Sequence, residues 1–131
     1  MDGETVNDES VKEFVRNKLG CDCSEDVFDH IENDRDVDVG GIMLRNRINI
    51  GNRLLVYVAE GAPGVVPGKI PALIKAGKSD RDSGGFNRFR LVIVTDDKKL
   101  KKAALDAFKT MPGLDEKVHL HVIEKKEALK L

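Results

Sequence analysis

The sequence predicts an α/β protein of three layers: a four-stranded mixed sheet, built as an antiparallel hairpin followed by two crossover units, with an N-terminal helix pair. Three observations predict it. The segments LLVYVA (54–59) and LVIV (91–94) are apolar at every position, as strands covered on both faces are. GIMLRNRINI (41–50) alternates apolar and polar residues, as a half-exposed strand does. Helical patterns follow each of the two inner segments, which is the order of parallel strands joined by crossovers.

Taken in order, residues 1–9 are polar and aperiodic and read as a flexible tail, leaving 10–131 as a single α/β domain. SVKE at 10–13 reads as a capping box. Val11, Phe14, Val15 and Leu19 then share a helical face, and Gly20 supplies a left-handed stop. Ser24, with Glu25 and Asp26 behind it, caps a second short helix whose apolar residues are Val27, Phe28 and Ile31. The run DRDVDVGG reads as a solvated loop holding Asp34, Asp36 and Asp38. The strand at 41–50 is expected at a sheet edge, and NIGNR turns the chain into 54–60. IPALIKA is a helix with Pro71 near its start and Gly77 after its end, followed by the loop GKSDRDSGGFNR. A second inner strand covers 89–95. The next helix carries Leu100, Ala103, Ala104, Ala107, Phe108 and Met111 on one stripe behind an Asp96 or Asp97 cap. KVHLHVIEKK closes the fold, with Val118, Leu120 and Val122 on one strand face and His119, His121 and Ile123 on the other. Two crossovers of the same hand, winding in one direction, put both of their helices on one face of a sheet ordered 1-2-3-4, the leading arrangement; reversing the winding after the second strand distributes those helices differently, and the sequence leaves both arrangements open. The N-terminal helix pair covers the other face.

The 131 residues carry a formal net charge of −1, but the charge is segregated: residues 1–38 hold thirteen acidic and four basic side chains, and 39–131 hold ten and eighteen. An acidic leader on a basic body implies packing of one on the other, or a surface for anions. No apolar run approaches the roughly 18 residues that span a bilayer, and MDGETVNDES lacks the regions of a signal peptide. A cytoplasmic protein without a membrane partner is expected.

Motifs narrow the chemistry by exclusion. Cys21 and Cys23 lack CxxC spacing, and residues one apart form a disulfide only with strain, so reduced, metal-free thiols packed between the first two helices are expected. With His30, His119 and His121 they are the only Cys and His residues, and a Cys2His2 zinc site built from both ends of the chain stays open as an alternative. A calcium loop counted from Asp34 needs Gly and Glu where Val39 and Arg45 stand. EGAPGVVPGKIP is a glycine-rich turn between a strand and a helix, suited to phosphate, but Pro63 and Ile70 occupy the positions a Walker A loop gives to glycine and hydroxyl. AGKS fails likewise at Ala72. Glu60, Thr95, Asp96 and Asp97 gather beyond the strand ends, where both aspartates serve as caps or as acid/base groups.

The basic residues suggest more. Lys98, Lys99, Lys101 and Lys102 crowd a helix start, where cations oppose the macrodipole. RDSGGFNRFR mixes Arg81, Arg88 and Arg90 with Phe86 and Phe89, a composition suited to single-stranded nucleic acid. The stretches LGCDCSEDVF and GFNRFRLVIVTDD together are similar to those of a small, uncharacterised prokaryotic family, largely archaeal, over most of the chain after residue 10. That resemblance implies a cytosolic prokaryotic protein and brings no activity or site with it. The expectation is a noncatalytic binding module for RNA or a phosphorylated small molecule, with no cofactor, using Lys69, Arg81, Phe86, Arg88, Lys98 and Lys99 around one end of the sheet. A thiol or metal protein centred on Cys21 and Cys23 is the alternative.

Overall fold

The computed structural model describes residues 13–15, 30–39, 42–60, 67–111 and 117–128. Strands β1 (Ile31–Val39), β2 (Ile42–Ile50), β3 (Leu54–Glu60), β4 (Arg88–Val94) and β5 (Val118–Ile123) form one mixed sheet in the order β1-β2-β3-β4-β5. The first three are antiparallel, and β3, β4 and β5 are parallel, joined through α1 (Ile70–Gly84) and α2 (Lys98–Lys109). Residues 13–15 are helical.

The inner strands lie where their two-sided apolarity places them. Leu55, Tyr57 and Ala59 face the layer of α1 and α2, packing with Ile70, Leu73 and Ala104. Leu54, Val56 and Val58 face the opposite layer with Phe14 and Val15. Both crossover helices therefore share one face, and Phe14 and Val15 pack on the other.

Two expectations are corrected. The acidic run at 34–39 is not a loop but most of a fifth strand, so β2 lies inside the sheet and β1 takes the edge. Asp and Asn are poor strand formers in isolation, and here cross-strand partners compensate. Asp34 stands opposite Arg47, Asn46 Nδ2 donates to Asn33 Oδ1 at 2.8 Å, and Asn49 Nδ2 donates to Glu32 Oε1 at 3.1 Å. Ile31 accordingly belongs to a strand and not to a second N-terminal helix, the rest of whose expected span lies outside the described residues. The hairpin also changes face. Ile31, Ile48 and Ile50 pack in the Phe14 layer, whereas Val37, Val39, Ile42 and Leu44 join the α1/α2 layer. The break falls at Asp36, whose φ of 53° interrupts the alternation with a left-handed residue.

The second correction concerns α1, which does not stop at Gly77 but runs on to Gly84 and ends on a left-handed Gly85 (φ 75°), whose N–H donates to the Arg81 carbonyl. Gly77 is required by packing instead: a Cβ there would lie 2.0 Å from Phe89 Cζ. The β2–β3 turn is as expected, with Gly51 and Asn52 both at positive φ and Arg53 N donating to Ile50 O at 3.1 Å.

Candidate anion-binding site

Ligands of open α/β sheets sit beyond the carboxyl ends of the parallel strands. Three chain segments meet there. Leaving β3, the chain re-enters the described residues at a single 3-10 turn, Pro67–Lys69, which packs against α2 and leads into α1. Leaving β4, Thr95, Asp96 and Asp97 start α2, and leaving β5, Lys125–Ala128 form another 3-10 turn. Local chemistry fixes their arrangement. Asp97 is the N-cap of α2, its Oδ1 accepting from Lys99 N at 2.9 Å and Leu100 N at 3.3 Å. Thr95 Oγ1 accepts from Asp97 N at 3.0 Å, and Thr95 N donates to Ile123 O at 2.9 Å. Asp96 Oδ1 accepts from Lys125 N at 3.0 Å, which ties the exit of β5 to that of β4. Both aspartates thus hold backbone amides, but only Asp97 caps α2, whereas Asp96 holds the amide of Lys125.

Lys69, Lys98, Lys99 and Lys125 are all exposed on these three turns. Lys69 holds the N-cap position of α1, where its side chain offers the helix no acceptor. The other half of the expected site lies elsewhere. Because α1 carries the chain back along the sheet, its last turn and the start of β4 sit at the opposite end, about 20 Å away along a seven-residue strand. Arg81, Phe86 and Arg88 are at that end. Arg81 is buried, with Nε and Nη2 both on Asp82 Oδ1 at 3.1 Å. Phe86 is half-buried against the helix-side core, its ring so close to Gly84 that a Cβ there would fall 2.5 Å from Cε2. Arg88 is exposed and starts β4. One ring of six residues is therefore divided into Lys69, Lys98 and Lys99 at one end, and Arg81, Phe86 and Arg88 at the other.

Comparison with family models, with curated proteins and with solved structures finds no match.

Two polar groupings were not legible as units in the sequence. On the α1 side of the sheet, Asp80 accepts from Arg47 Nε and Nη2, each at 2.8 Å, and from Tyr57 Oη at 2.6 Å. The Arg47 hydrogen bonds hold the Asp80 carboxyl below the usual carboxylate range, while burial and the bond to Asp80 push the Tyr57 hydroxyl up. A carboxylate saturated by three donors is a structural anchor, not a base. The signal was an arginine and a tyrosine facing one another on adjacent strands, Arg47 opposite Tyr57. On the other side of the sheet, Arg90 Nη1 lies 2.9 Å from His121 Nε2. Arginine only donates, so Nε2 accepts and the neutral imidazole carries its proton on Nδ1. Burial, reinforced by the charge of Arg90, lowers the His121 pKa to about 4. His119 stands opposite Arg90 on the same face. Among the described residues no three His, Cys, Asp or Glu side chains are grouped to hold a metal, and Cys21 and Cys23, with the tail at 1–9, lie outside those residues.

Proposed function

We propose that the protein is a noncatalytic binding module for an anionic ligand, whose phosphate groups are held by Lys69, Lys98 and Lys99 at the carboxyl end of the parallel strands. The observation that carries this reading is the convergence of exposed lysines from the β3, β4 and β5 exits at that end. Lys98 and Lys99 occupy the first turn of α2, where each opposes the macrodipole by roughly 0.3 to 1 kcal/mol at low salt. A bound anion offsets that cost. Asp96 and Asp97, the carboxylates available for acid/base work, are engaged by backbone amides, which favours binding over catalysis. No helix among the described residues is long and apolar enough to cross a membrane, which is compatible with the cytosolic setting that this reading carries with it.

Calorimetric titration with pyrophosphate at low salt tests the reading. Binding is expected, weakening about tenfold in the Lys98→Gln/Lys99→Gln variant, as loss of roughly 1.4 kcal/mol implies. Absence of binding at low salt, or equal binding by the variant, overturns it.

A further inference from the structure

The outer surface of α2 extends the lysine cluster well beyond the strand ends. Within Lys98–Lys109 all five lysines (98, 99, 101, 102 and 109) are exposed, and the one acidic residue, Asp106, is held by Lys102 at 3.1 Å. Lys98, Lys102 and Lys109 stand at i, i+4 and i+11, within about 40° of one another around a helix of 3.6 residues per turn. They form one straight row on the side opposite the buried Ala104. At 1.5 Å per residue the row is about 16 Å long. A single phosphate or pyrophosphate meets one end of it; only a polymeric anion meets all of it.

The side chains around the row narrow the polymer. None of the described aromatic rings is exposed: Phe14, Tyr57 and Phe89 are buried, and Phe86 and Phe108 are half-buried against the helix-side core. A stacking platform for unpaired bases is therefore missing among the described residues. The row contains lysine alone, which contacts phosphate as a point charge, whereas base reading favours the fork of arginine. The apolar side of α2 is spent on the sheet through Ala104, Ala107 and Phe108, and Met43 on β2 is the one large apolar side chain exposed among the described residues, so α2 has nothing to insert into a lipid surface.

We infer that α2 lies along the phosphate backbone of a nucleic-acid duplex and binds it without sequence preference. This rests on the anion-binding reading above and adds the class of ligand. DNA and RNA duplexes share the chemistry, and the measurement separates them.

Fluorescence anisotropy with 20-base-pair DNA and RNA duplexes of two unrelated sequences each, single-stranded oligoadenylate and phosphatidylserine vesicles supplies the test, run at 50 and 200 mM salt. At least one duplex type should bind, irrespective of sequence and more tightly than the single strand. Three phosphate contacts, one from each lysine of the row, predict a loss of roughly fortyfold between the two salt concentrations. Lys102→Gln/Lys109→Gln should weaken duplex binding about tenfold or more and leave pyrophosphate binding unchanged, with far-UV circular dichroism confirming an intact fold. Duplex binding unaffected by that variant, a preference for single strands or for one sequence, or binding to vesicles alone overturns the inference. Pyrophosphate binding without duplex binding overturns the inference and leaves the anion-binding reading standing. Loss of all anion binding overturns both.

Discussion

Individual side chains divide the protein into anchors and surfaces. Asp80 draws together α1, β2 and β3 by accepting from Arg47 and Tyr57, and its removal leaves a guanidinium and a phenol without their acceptor. Asp80→Asn is expected to lower stability by about 2 kcal/mol, the scale of hydrogen bonds to a charged group, as read from urea unfolding at pH 7. His121 makes stability depend on pH. Its folded pKa of about 4 lies below the unfolded value near 6.5, so on acidification the unfolded chain takes up a proton that the folded protein refuses. Its contribution is complete above pH 6.5 and is lost as pH falls from there towards 4. Between pH 7 and pH 5 the wild type should lose more stability than His121→Gln, by on the order of 1 kcal/mol once solvent screening of this partly exposed ring is included; parallel pH profiles of the two proteins would show that the imidazole titrates normally.

The helices and strands show how local preference and packing compete. Gly77 sits inside α1, where glycine costs about 1 kcal/mol relative to alanine, so intrinsic preference ends the helix there. Packing reverses that, because the glycine leaves room for the ring of Phe89, which meets Tyr57 edge to face with centroids 5.0 Å apart. Gly77→Ala therefore sets a gain in helix propensity against a clash of 2.0 Å with a fully buried ring. The clash wins, since Phe89 is fixed in an inner strand, and a net destabilisation of about 2 kcal/mol is expected in thermal or urea unfolding. A more stable variant would mean that the ring moves aside freely. The same competition makes the acidic segment a strand: Asp34 and Asn33 pair with Arg47 and Asn46 only once β2 lies alongside.

At the scale of the whole molecule, the path of the chain decides which charges act together. Lys69, Lys98 and Lys99 come from the carboxyl ends of the strands, and Arg81 and Arg88 from the amino ends, so they cannot share one small ligand. Their separation of about 20 Å exceeds the Debye length of about 8 Å at physiological salt. Arg88→Ala is accordingly expected to change pyrophosphate affinity less than twofold at 150 mM salt, and a tenfold loss in the same calorimetric titration would place Arg88 at the site after all. While the structure placed both crossover helices on one face and chose Asp97, the sequence by itself determined the α/β class, the inner strands near 54–60 and 89–95 and an aspartate cap, Asp96 or Asp97, ahead of α2. Each of these rests on apolar periodicity or on capping within a few residues, which the chain carries locally. Tertiary structure alone decided that the acidic run pairs as β1, that α1 passes through Gly77, that Asp80 joins Arg47 and Tyr57, and that the basic residues divide between two ends. Those outcomes depend on neighbours distant in sequence, whose contacts outweigh local preference only when the sheet has brought them together.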